Sequence, residues 1–324
     1  MPSTAPDAGA APRLEVAVGL IQDDDGRILI ARRRPDQPLG GLREFPGGKL
    51  EPGETADVAL RRELHEELGL RVQQAVPCLA IEHAYPDVTV RLRVFRVEAW
   101  SGTPVGREGQ PLDWHDPADL HSDEFPPASR AILNAARLPR RYLVTPSPAT
   151  HGDILAIVEQ VDAALRRGDI GLVQVRAPRL GCEGYREFLC RIRAVAERSG
   201  TDVLANAPPE WLAGLPPVGI HLPERRWRVL DGRPAVAGWI AASVHDAEGL
   251  RRAAALGVDF VVVSPVAATS SHPEAVVLGW DGLHALIAEA PVPVYALGGM
   301  DRAALPQARA AGAQGVAAIR GLLE

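Results

Sequence analysis

Three glutamates on one predicted helix constrain this chain more than any other feature of its sequence. The segment Arg43 to Leu70 reads REFPGGKLEPGETADVALRRELHEELGL, a turn rich in Gly and Pro that leads into a helical pattern. Thr55 is suited to cap a helix and Gly69 to end it, which predicts a helix over Ala56 to Leu68. The residues at i, i+3 and i+4 on one face of that helix are Glu63, Glu66 and Glu67.

Carboxylates at that spacing repel one another and destabilise a helix by roughly 0.2–0.5 kcal/mol per pair. A hard divalent cation removes the repulsion, and oxygen ligands suit Mg²⁺ or Mn²⁺. Because Mg²⁺ keeps several waters and usually acts beside substrate phosphates, the glutamates predict a polyphosphate substrate. The alternative is a solvated acidic face, which is the usual meaning of a run of charges. The glycines and the arginine that flank the glutamates fit the same site, which favours the metal site over a solvated face.

The spacing from Gly48 onward is G-x5-E-x7-R-E-L-x-E-E-x-G-L, and the chain resembles Nudix hydrolases at every position of this motif. The segments ARRRPD, EFPGGK, GREGQP and EFPPAS resemble the MutT-type branch, the 8-oxo-dGTP diphosphatases. The resemblance implies a Mg²⁺ cofactor, with Mn²⁺ as a substitute. The metal ligands it implies are Glu63, Glu66, Glu67, Glu108 and the backbone carbonyl of Gly47.

The resemblance also assigns the chemistry to the carboxylates Glu63, Glu66, Glu67 and Glu108. One of them would orient or deprotonate the attacking water. The sequence leaves open which one, because coupled carboxylates share their titration. Arg62 is better suited to an ion pair with Glu54 than to the reaction. Gly48, Glu54 and Arg62 are therefore interpreted as structural support for the site.

Nucleotide contacts are implied for Arg33, Glu44, Phe45 and Ser129. For Arg33 the alternative is one of three consecutive surface arginines. The MutT-type pattern has asparagine where this chain has Ser129, and one hydroxyl offers less than the paired donor and acceptor of an amide. The implied reaction is cleavage of a nucleoside triphosphate, 8-oxo-dGTP first among them, to the monophosphate and pyrophosphate. A strict preference for 8-oxoguanine is not implied.

The second half of the chain alternates short apolar strands with helices from Tyr142 onward. Eight such strands predict a compact (βα)8 TIM barrel with its functional residues, His221 among them, at the carboxyl ends of the strands. The predicted strands are Tyr142 to Val144, Leu172 to Arg176, Asp202 to Ala205, Gly219 to His221, Ala237 to Ala242, Phe260 to Ser264, Val294 to Leu297 and Gly315 to Ala318.

This half resembles the thiamin phosphate synthase/TenI family through QVR, IHL, SVH, SPVAATSSH and LGGM. The implied pocket residues are Arg176, Asn206, Ser243, His245, Thr269, Gly298 and Gly299. Four positions depart from the synthase pattern: Pro178 and His272 replace lysines, and Ala207 and Arg226 replace metal-site aspartates. Losing two carboxylates removes the means of holding Mg-pyrophosphate, so thiamin phosphate synthesis is not expected.

Two rival hypotheses accompany the nucleotide-pool hydrolase. In the first, the chain serves the thiamin pathway: the N-terminal half cleaves a pyrophosphate, and the barrel is a thiazole tautomerase in which His245 shuttles protons. In the second, the barrel only binds a thiazole- or thiamin-related phosphate and regulates the other half. For His245 the alternative is a structural histidine that follows a strand.

Composition bounds the remaining possibilities. A chain of 324 residues with 46% hydrophobic residues can form two domains. We expect a disordered N-terminus over 1–12, an α/β/α sandwich with a mixed sheet over 13–137, a linker over 138–141 and the barrel over 142–324. A net charge of −6 argues against polymeric nucleic acid as a partner. Without a signal peptide or an apolar run of spanning length, the protein is expected to be cytoplasmic and to have no membrane partner.

Overall fold

The computed structural model describes residues 12–36, 38–269 and 274–324, and the chain divides into two compact units. Unit 1 ends at Leu133, and unit 2 comprises Asn134–Glu324. The expected disordered segment, apart from Pro12, lies outside the described residues, and so does His272. In the described parts of the chain, no helix is long and apolar enough to cross a membrane.

Among its described residues, unit 1 has seven strands and one long helix before its C-terminal turns. In chain order they are β1 (Arg13–Ile21), β2 (Ile28–Arg32), β3 (Arg43–Glu44), β4 (Gly47–Lys49), α1 (Ala56–Leu68), β5 (Arg71–Ala84), β6 (Thr89–Ser101) and β7 (Leu112–His115). A 3₁₀ turn over Pro127–Ser129 leads into α2 (Arg130–Arg137), within which the division between the units falls.

The expected mixed sheet is confirmed. Its order is β4-β1-β6-β5, with β1 parallel to β6 and the other pairs antiparallel. A second, antiparallel sheet has the order β3-β2-β7. Leu112–His115 is a strand because it pairs with β2, a partner far away in the chain.

The helix α1 has the predicted bounds. The Thr55 hydroxyl accepts a hydrogen bond from the Val58 amide at 3.4 Å, and Gly69 ends the helix in the left-handed conformation at φ 73°. The buried side chains Leu60, Leu64 and Leu68 recur every four residues and pack against β1 and β6. Burying each such leucine contributes roughly 1.5–3 kcal/mol, which fixes the orientation of the helix and therefore of its glutamates.

Unit 2 is built from alternating strands and helices. After α2 they are β8 (Arg141–Val144), α3 (Ile154–Leu165), β9 (Leu172–Val175), α4 (Cys182–Arg198), β10 (Asp202–Ala205), β11 (Gly219–Leu222), α5 (Glu224–Trp227), β12 (Ile240–Val244), α6 (Ala247–Ala255), β13 (Phe260–Val263), α7 (Gly279–Ile287), β14 (Val294–Leu297), α8 (Leu305–Ala310) and β15 (Gly315–Ala318).

The predicted TIM barrel is confirmed, because β8 to β15 form a closed parallel barrel in which β8 pairs with both β9 and β15. Tyr142, Phe260 and Tyr295 meet inside it with ring centroids 5.2–5.7 Å apart. The predicted strand Ala237 to Ala242 was wrong in position. Gly238 has φ +98°, which starts a turn there, and β12 runs instead over Ile240–Val244.

Candidate active site and barrel cavity

Two glycines of β4 make room for the glutamates of α1. A β-carbon at position 48 would come within 2.2 Å of the carboxyl carbon of Glu63, so Gly48 lets this carboxylate lie against the backbone. Gly47 has φ +143°, and a β-carbon there would come within 2.1 Å of the Ala17 carbonyl oxygen. Position 47 therefore requires glycine for the close approach of β4 to β1, and glycine at position 48 leaves the Glu63 carboxylate its place.

Arg62 binds three glutamates. Its Nε and Nη2 donate to the two carboxylate oxygens of Glu54 at 3.0 and 2.9 Å, which is the ion pair expected from the sequence. Its Nη1 donates to Glu63 at 2.9 Å and to Glu66 at 3.2 Å. The hydrogen bonds from Arg62 lower the pKa of Glu54 and raise the pKa of Arg62 itself. Arg62 is thereby committed to positioning the carboxylates.

Glu67 carries the clearest electrostatic signal in unit 1. Burial raises its pKa to about 8, and the charges of four further carboxylates act in the same direction. Those carboxylates are Glu63, Glu108, Glu44 and Glu66. Such accumulation of negative charge around a partly buried group marks a functional site more often than a structural one.

The loop that carries Glu108 is attached to the C-terminal end of α1. The amide of Arg107 donates to the Glu67 carbonyl at 2.9 Å, and its guanidinium donates to the His65 carbonyl at 3.0 Å. Gln110 accepts from the Glu108 amide at 2.9 Å and donates to the Glu67 carbonyl at 3.4 Å. The last turn of α1 therefore positions Glu108 beside Glu67.

The donor set suits a hard divalent cation, because several carboxylates act together on Glu67 and carboxylate oxygens are the ligands such ions prefer. Among the described residues, however, no three Asp, Glu, His or Cys side chains converge closely enough to chelate an ion as they stand. Glu63 and Glu66 are held by Arg62. The carboxylates thus interact electrostatically, and side-chain rotations are needed before they can share an ion.

A second group of predicted residues lies next to the carboxylates. Arg33 donates from Nη1 to Glu44 at 2.9 Å, and Glu44 in turn adds its charge to the field on Glu67. Burial raises the pKa of Glu44, while Arg33 opposes that shift. The Nε of Arg33 is buried and has no hydrogen-bond partner within the described part of the chain. Phe45 stacks on Phe125 with ring centroids 5.5 Å apart.

Tyr85 belongs to this group, although the sequence analysis missed it. Burial raises the pKa of Tyr85, while the backbone of Ala128 and the charge of Arg33 act in the opposite direction. The neighbouring Ser129 is only 6% exposed. The local sequence shows Tyr85 only as the start of a turn, because Ala128 and Arg33 lie more than forty positions away in the chain.

The carboxyl end of the barrel opens into a cavity of 740 Å³, the barrel cavity. All seven predicted pocket residues line it: Arg176, Asn206, Ser243, His245, Thr269, Gly298 and Gly299. Their functional roles remain predictions. The lining also includes Gln174, Glu224 and Arg320, which the sequence analysis did not single out.

Inside the barrel cavity, His221 connects two hydroxyl groups. Its Nδ1 lies 3.1 Å from the Tyr142 hydroxyl and its Nε2 lies 2.8 Å from the Ser243 hydroxyl. Burial, assisted by the charge of Arg176, lowers the pKa of His221 to about 3. The ring is therefore neutral at physiological pH and serves as a hydrogen-bonding group in the cavity wall.

His245 lies at the mouth of the barrel cavity. Its Nδ1 is 2.6 Å from the Ser264 carbonyl oxygen and must carry the proton, because a carbonyl only accepts. Its Nε2 faces Glu224 at 3.6 Å. The geometry leaves Nε2 as the ring atom that can take up or release a proton.

Known proteins resemble each unit separately. The thiamine monophosphate synthase model matches residues 141–322, and the NUDIX domain model matches residues 17–135. The 8-oxo-dGTP diphosphatase of Escherichia coli is 41% identical over 121 residues, which are 37% of this chain and 94% of that enzyme. The chain belongs to both families. Its Nudix unit is a hydrolase that acts on phosphorus-containing acid anhydrides.

Further relatives also match one unit each. The CTP pyrophosphohydrolase of Escherichia coli is 34% identical over 122 residues, 38% of this chain and 90% of that enzyme. A solved structure of thiamine phosphate pyrophosphorylase from Pyrococcus furiosus is 19% identical with a TM-score of 0.47, and the match covers 61% of this chain and 93% of that one.

Proposed function

We propose that unit 1 hydrolyses nucleoside triphosphates to the monophosphate and pyrophosphate, with 8-oxo-dGTP as its preferred substrate. The observation that carries the proposal is the position of Glu44. It is bonded to Arg33 at 2.9 Å and also acts on the pKa of Glu67, so the nucleotide-binding group and the carboxylates adjoin. One substrate can therefore contact both. The name of the Escherichia coli relative supports the choice of 8-oxo-dGTP.

A Mg²⁺ ion, replaceable by Mn²⁺, would be held by Glu63, Glu66, Glu67, Glu108 and the Gly47 carbonyl. When bound, it supplies Lewis acidity and neutralises charge on the phosphates. The protein's own residues do the remaining work. One of the four carboxylates orients the water or takes its proton, while Arg62 and Glu54 keep α1 and the preceding turn together.

The residues around Arg33 offer groups suited to the base and sugar of a nucleotide. The buried Nε of Arg33 is a donor without a partner among the described residues, so a bound nucleotide can satisfy it. Phe45, buried and stacked on Phe125, supports this group from behind. Ser129 offers one hydroxyl to the base edge, which favours a broader substrate range than an amide there would allow.

A substrate panel tests this proposal. Purified chain would be incubated with 8-oxo-dGTP, dGTP, CTP and thiamin-related pyrophosphates, with Mg²⁺ or with EDTA, and the monophosphate and phosphate products would be quantified. We expect Mg²⁺-dependent cleavage, with the highest kcat/KM for 8-oxo-dGTP. Fastest cleavage of a thiamin-related pyrophosphate would instead support the thiamin-pathway hypothesis.

For unit 2 we propose binding of a thiazole- or thiamin-related phosphate in the barrel cavity. Its membership of the thiamine monophosphate synthase family and the 740 Å³ cavity support this ligand class. The Nε2 of His245, which faces Glu224 at the cavity mouth, favours proton transfer to or from the ligand, as a thiazole tautomerase would require. Thiazole phosphate would be titrated while tautomerase activity and the hydrolysis rate are both followed. Binding that changes only the hydrolysis rate identifies a regulatory module.

A further inference from the structure

A row of hydrogen-bonded side chains leads from the interior of the barrel to the barrel cavity. The Tyr142 hydroxyl lies 3.1 Å from Nδ1 of His221, and Nε2 of the same ring lies 2.8 Å from the Ser243 hydroxyl. His221 and Ser243 line the cavity, whereas Tyr142 is not among its described lining residues. Tyr142 therefore acts on the cavity through His221 and Ser243.

The packing around Tyr142 keeps its hydroxyl in this position. Tyr142, Phe260 and Tyr295 are all 0% exposed. The Tyr142 ring meets each of the other two rings edge-on, with ring centroids 5.7 Å apart. Because a close-packed interior leaves few voids, the ring has no space in which to swing away. The hydroxyl is thereby held next to His221.

Burial decides which of these groups carry protons at physiological pH. It raises the pKa of Tyr142, while the side chain of Gln174 acts in the opposite direction, as an amide N–H that donates to the phenolic oxygen does. Burial lowers the pKa of His221 to about 3, and the charge of Arg176 assists. The phenol is therefore protonated, and the imidazole is neutral with a single N–H.

The tautomer of His221 follows from the single proton of the phenol. In the described structure, Nδ1 of His221 is the one acceptor within hydrogen-bonding distance of the Tyr142 hydroxyl. A buried hydroxyl without an acceptor is unfavourable, so Tyr142 donates to Nδ1. The ring then carries its proton on Nε2 and donates to the Ser243 oxygen. The proton of Ser243 is left for the cavity, because Nε2 cannot accept it.

We propose that Tyr142 sets the tautomer of His221 and so makes the Ser243 hydroxyl a hydrogen-bond donor to the ligand of the barrel cavity. The ligand must present an acceptor atom to Ser243. Val144 and Val262 line the same cavity, and their apolar surfaces suit a flat ring, so the acceptor that fits is an unprotonated ring nitrogen. Tyr142 is a positioning residue. Its effect on a ligand rests on the binding function proposed for unit 2, whereas the direction of the hydrogen bonds does not.

The tautomer can be read directly by ¹⁵N NMR of the full chain, labelled in its nine histidines. The signals of His221 are those that disappear in His221→Asn. We expect a proton on Nε2 and none on Nδ1, and Tyr142→Phe should shift the Nδ1 signal. Tyr295→Phe is the matched control, because it removes a buried hydroxyl of the same aromatic cluster, one that donates to the Pro139 carbonyl. It should leave both signals unchanged.

Far-UV circular dichroism would verify that each variant is folded. If Tyr142→Phe is not folded, the wild-type spectrum still decides, because a proton on Nδ1 would overturn the proposal. So would an Nδ1 signal that stays in place in Tyr142→Phe, or one that shifts equally in Tyr295→Phe. Should His221→Asn not fold, Ser243→Ala identifies the ring through the shift of its Nε2 signal.

Isothermal titration tests the ligand side with thiazole phosphate and its thiophene isostere, in which a C–H group replaces the ring nitrogen. The isostere should bind the wild type about fivefold more weakly, the effect of one hydrogen bond, and Ser243→Ala should remove the difference. Equal affinity of the wild type for both compounds would overturn the need for an acceptor. If thiazole phosphate does not bind, the ligand proposed for unit 2 is rejected, and the tautomer alone confirms or refutes the role of Tyr142.

Discussion

A β-carbon on Gly48 would lie 2.2 Å from the carboxyl carbon of Glu63, so even alanine at position 48 collides with a carboxylate of the proposed active site. We expect Gly48→Ala to displace Glu63 and to lower kcat by about 100-fold, the cost of a misplacement near 1 Å. Gly53→Ala is the control, because its β-carbon meets open space. It should lose about 1 kcal/mol of stability from its positive φ and keep its kcat. Equal kcat in both variants would contradict the packing argument.

Glu67→Gln should lower kcat by roughly 10²–10⁴-fold, because it removes a charged oxygen ligand and a candidate base while preserving the shape of the side chain. Steady-state cleavage of 8-oxo-dGTP measures the effect. Asp57, in the first turn of the same helix, is paired with Arg61. Asp57→Asn is therefore the matched control and should retain activity. Near-wild-type turnover by a folded Glu67→Gln protein would count against the metal assignment.

The pKa of Glu67 predicts how the stability of the metal-free protein depends on pH. Its folded-state pKa of about 8 exceeds the ordinary value of 4.5, so between these values the folded state binds more protons than the unfolded state. The free energy of unfolding should therefore fall as pH rises through this window. Urea unfolding should show this slope in the wild type and a smaller one in Glu67→Gln. Parallel pH profiles for the two proteins would refute the prediction.

Ser129→Asn should sharpen base selection. The amide adds a paired donor and acceptor where Ser129 offers one hydroxyl, and a further hydrogen bond contributes about 1 kcal/mol or more. We expect the ratio of kcat/KM for 8-oxo-dGTP to that for dGTP to rise by about tenfold. Ser122→Asn, on an exposed turn nearby, should leave the ratio unchanged. An unchanged ratio in Ser129→Asn would place base recognition elsewhere.

Asp259 should be critical for the stability of the barrel. It is 4% exposed, accepts from both terminal nitrogens of Arg233 at 3.0 and 2.9 Å, and accepts from the Ile240 amide at 2.9 Å. Asp259→Ala removes the acceptor of the Ile240 amide and the carboxylate partner of Arg233, and should cost about 3 kcal/mol in urea unfolding. Glu187→Ala breaks exposed ion pairs and should cost less than about 1 kcal/mol. Similar losses of unfolding free energy in the two variants would show that the burial of Asp259 does not increase its contribution to stability.

Local signals explain what could be predicted from the sequence. The bounds of α1 follow from Thr55, Gly69 and a leucine every fourth residue, all within one short segment. The barrel strands follow from compact apolar runs, because parallel strands are buried on both faces. The predicted residues of the barrel cavity came together since the carboxyl ends of all its strands meet at one end.

Long-range contacts explain what could not be predicted. The strand β7 exists through pairing with β2, about eighty residues earlier in the chain. The influence of Ala128 on Tyr85 and the approach of Glu224 to His245 also join residues far apart in the chain, which no local pattern indicates. The shift of β12 has a different origin: Gly238 adopts a positive φ that an apolar reading of Ala237 to Ala242 does not reveal.

Arg62 already occupies the carboxylates that a bound cation would need. Its Nη1 already satisfies Glu63 and Glu66, while its other nitrogens clasp Glu54. If the proposed divalent cation binds Glu63 and Glu66, it would replace Arg62 as their positive partner. The hydrogen bonds from Arg62 keep the glutamates of α1 ordered without a metal ion. The bonds from Nε and Nη2 to Glu54 need not break when a cation replaces Nη1.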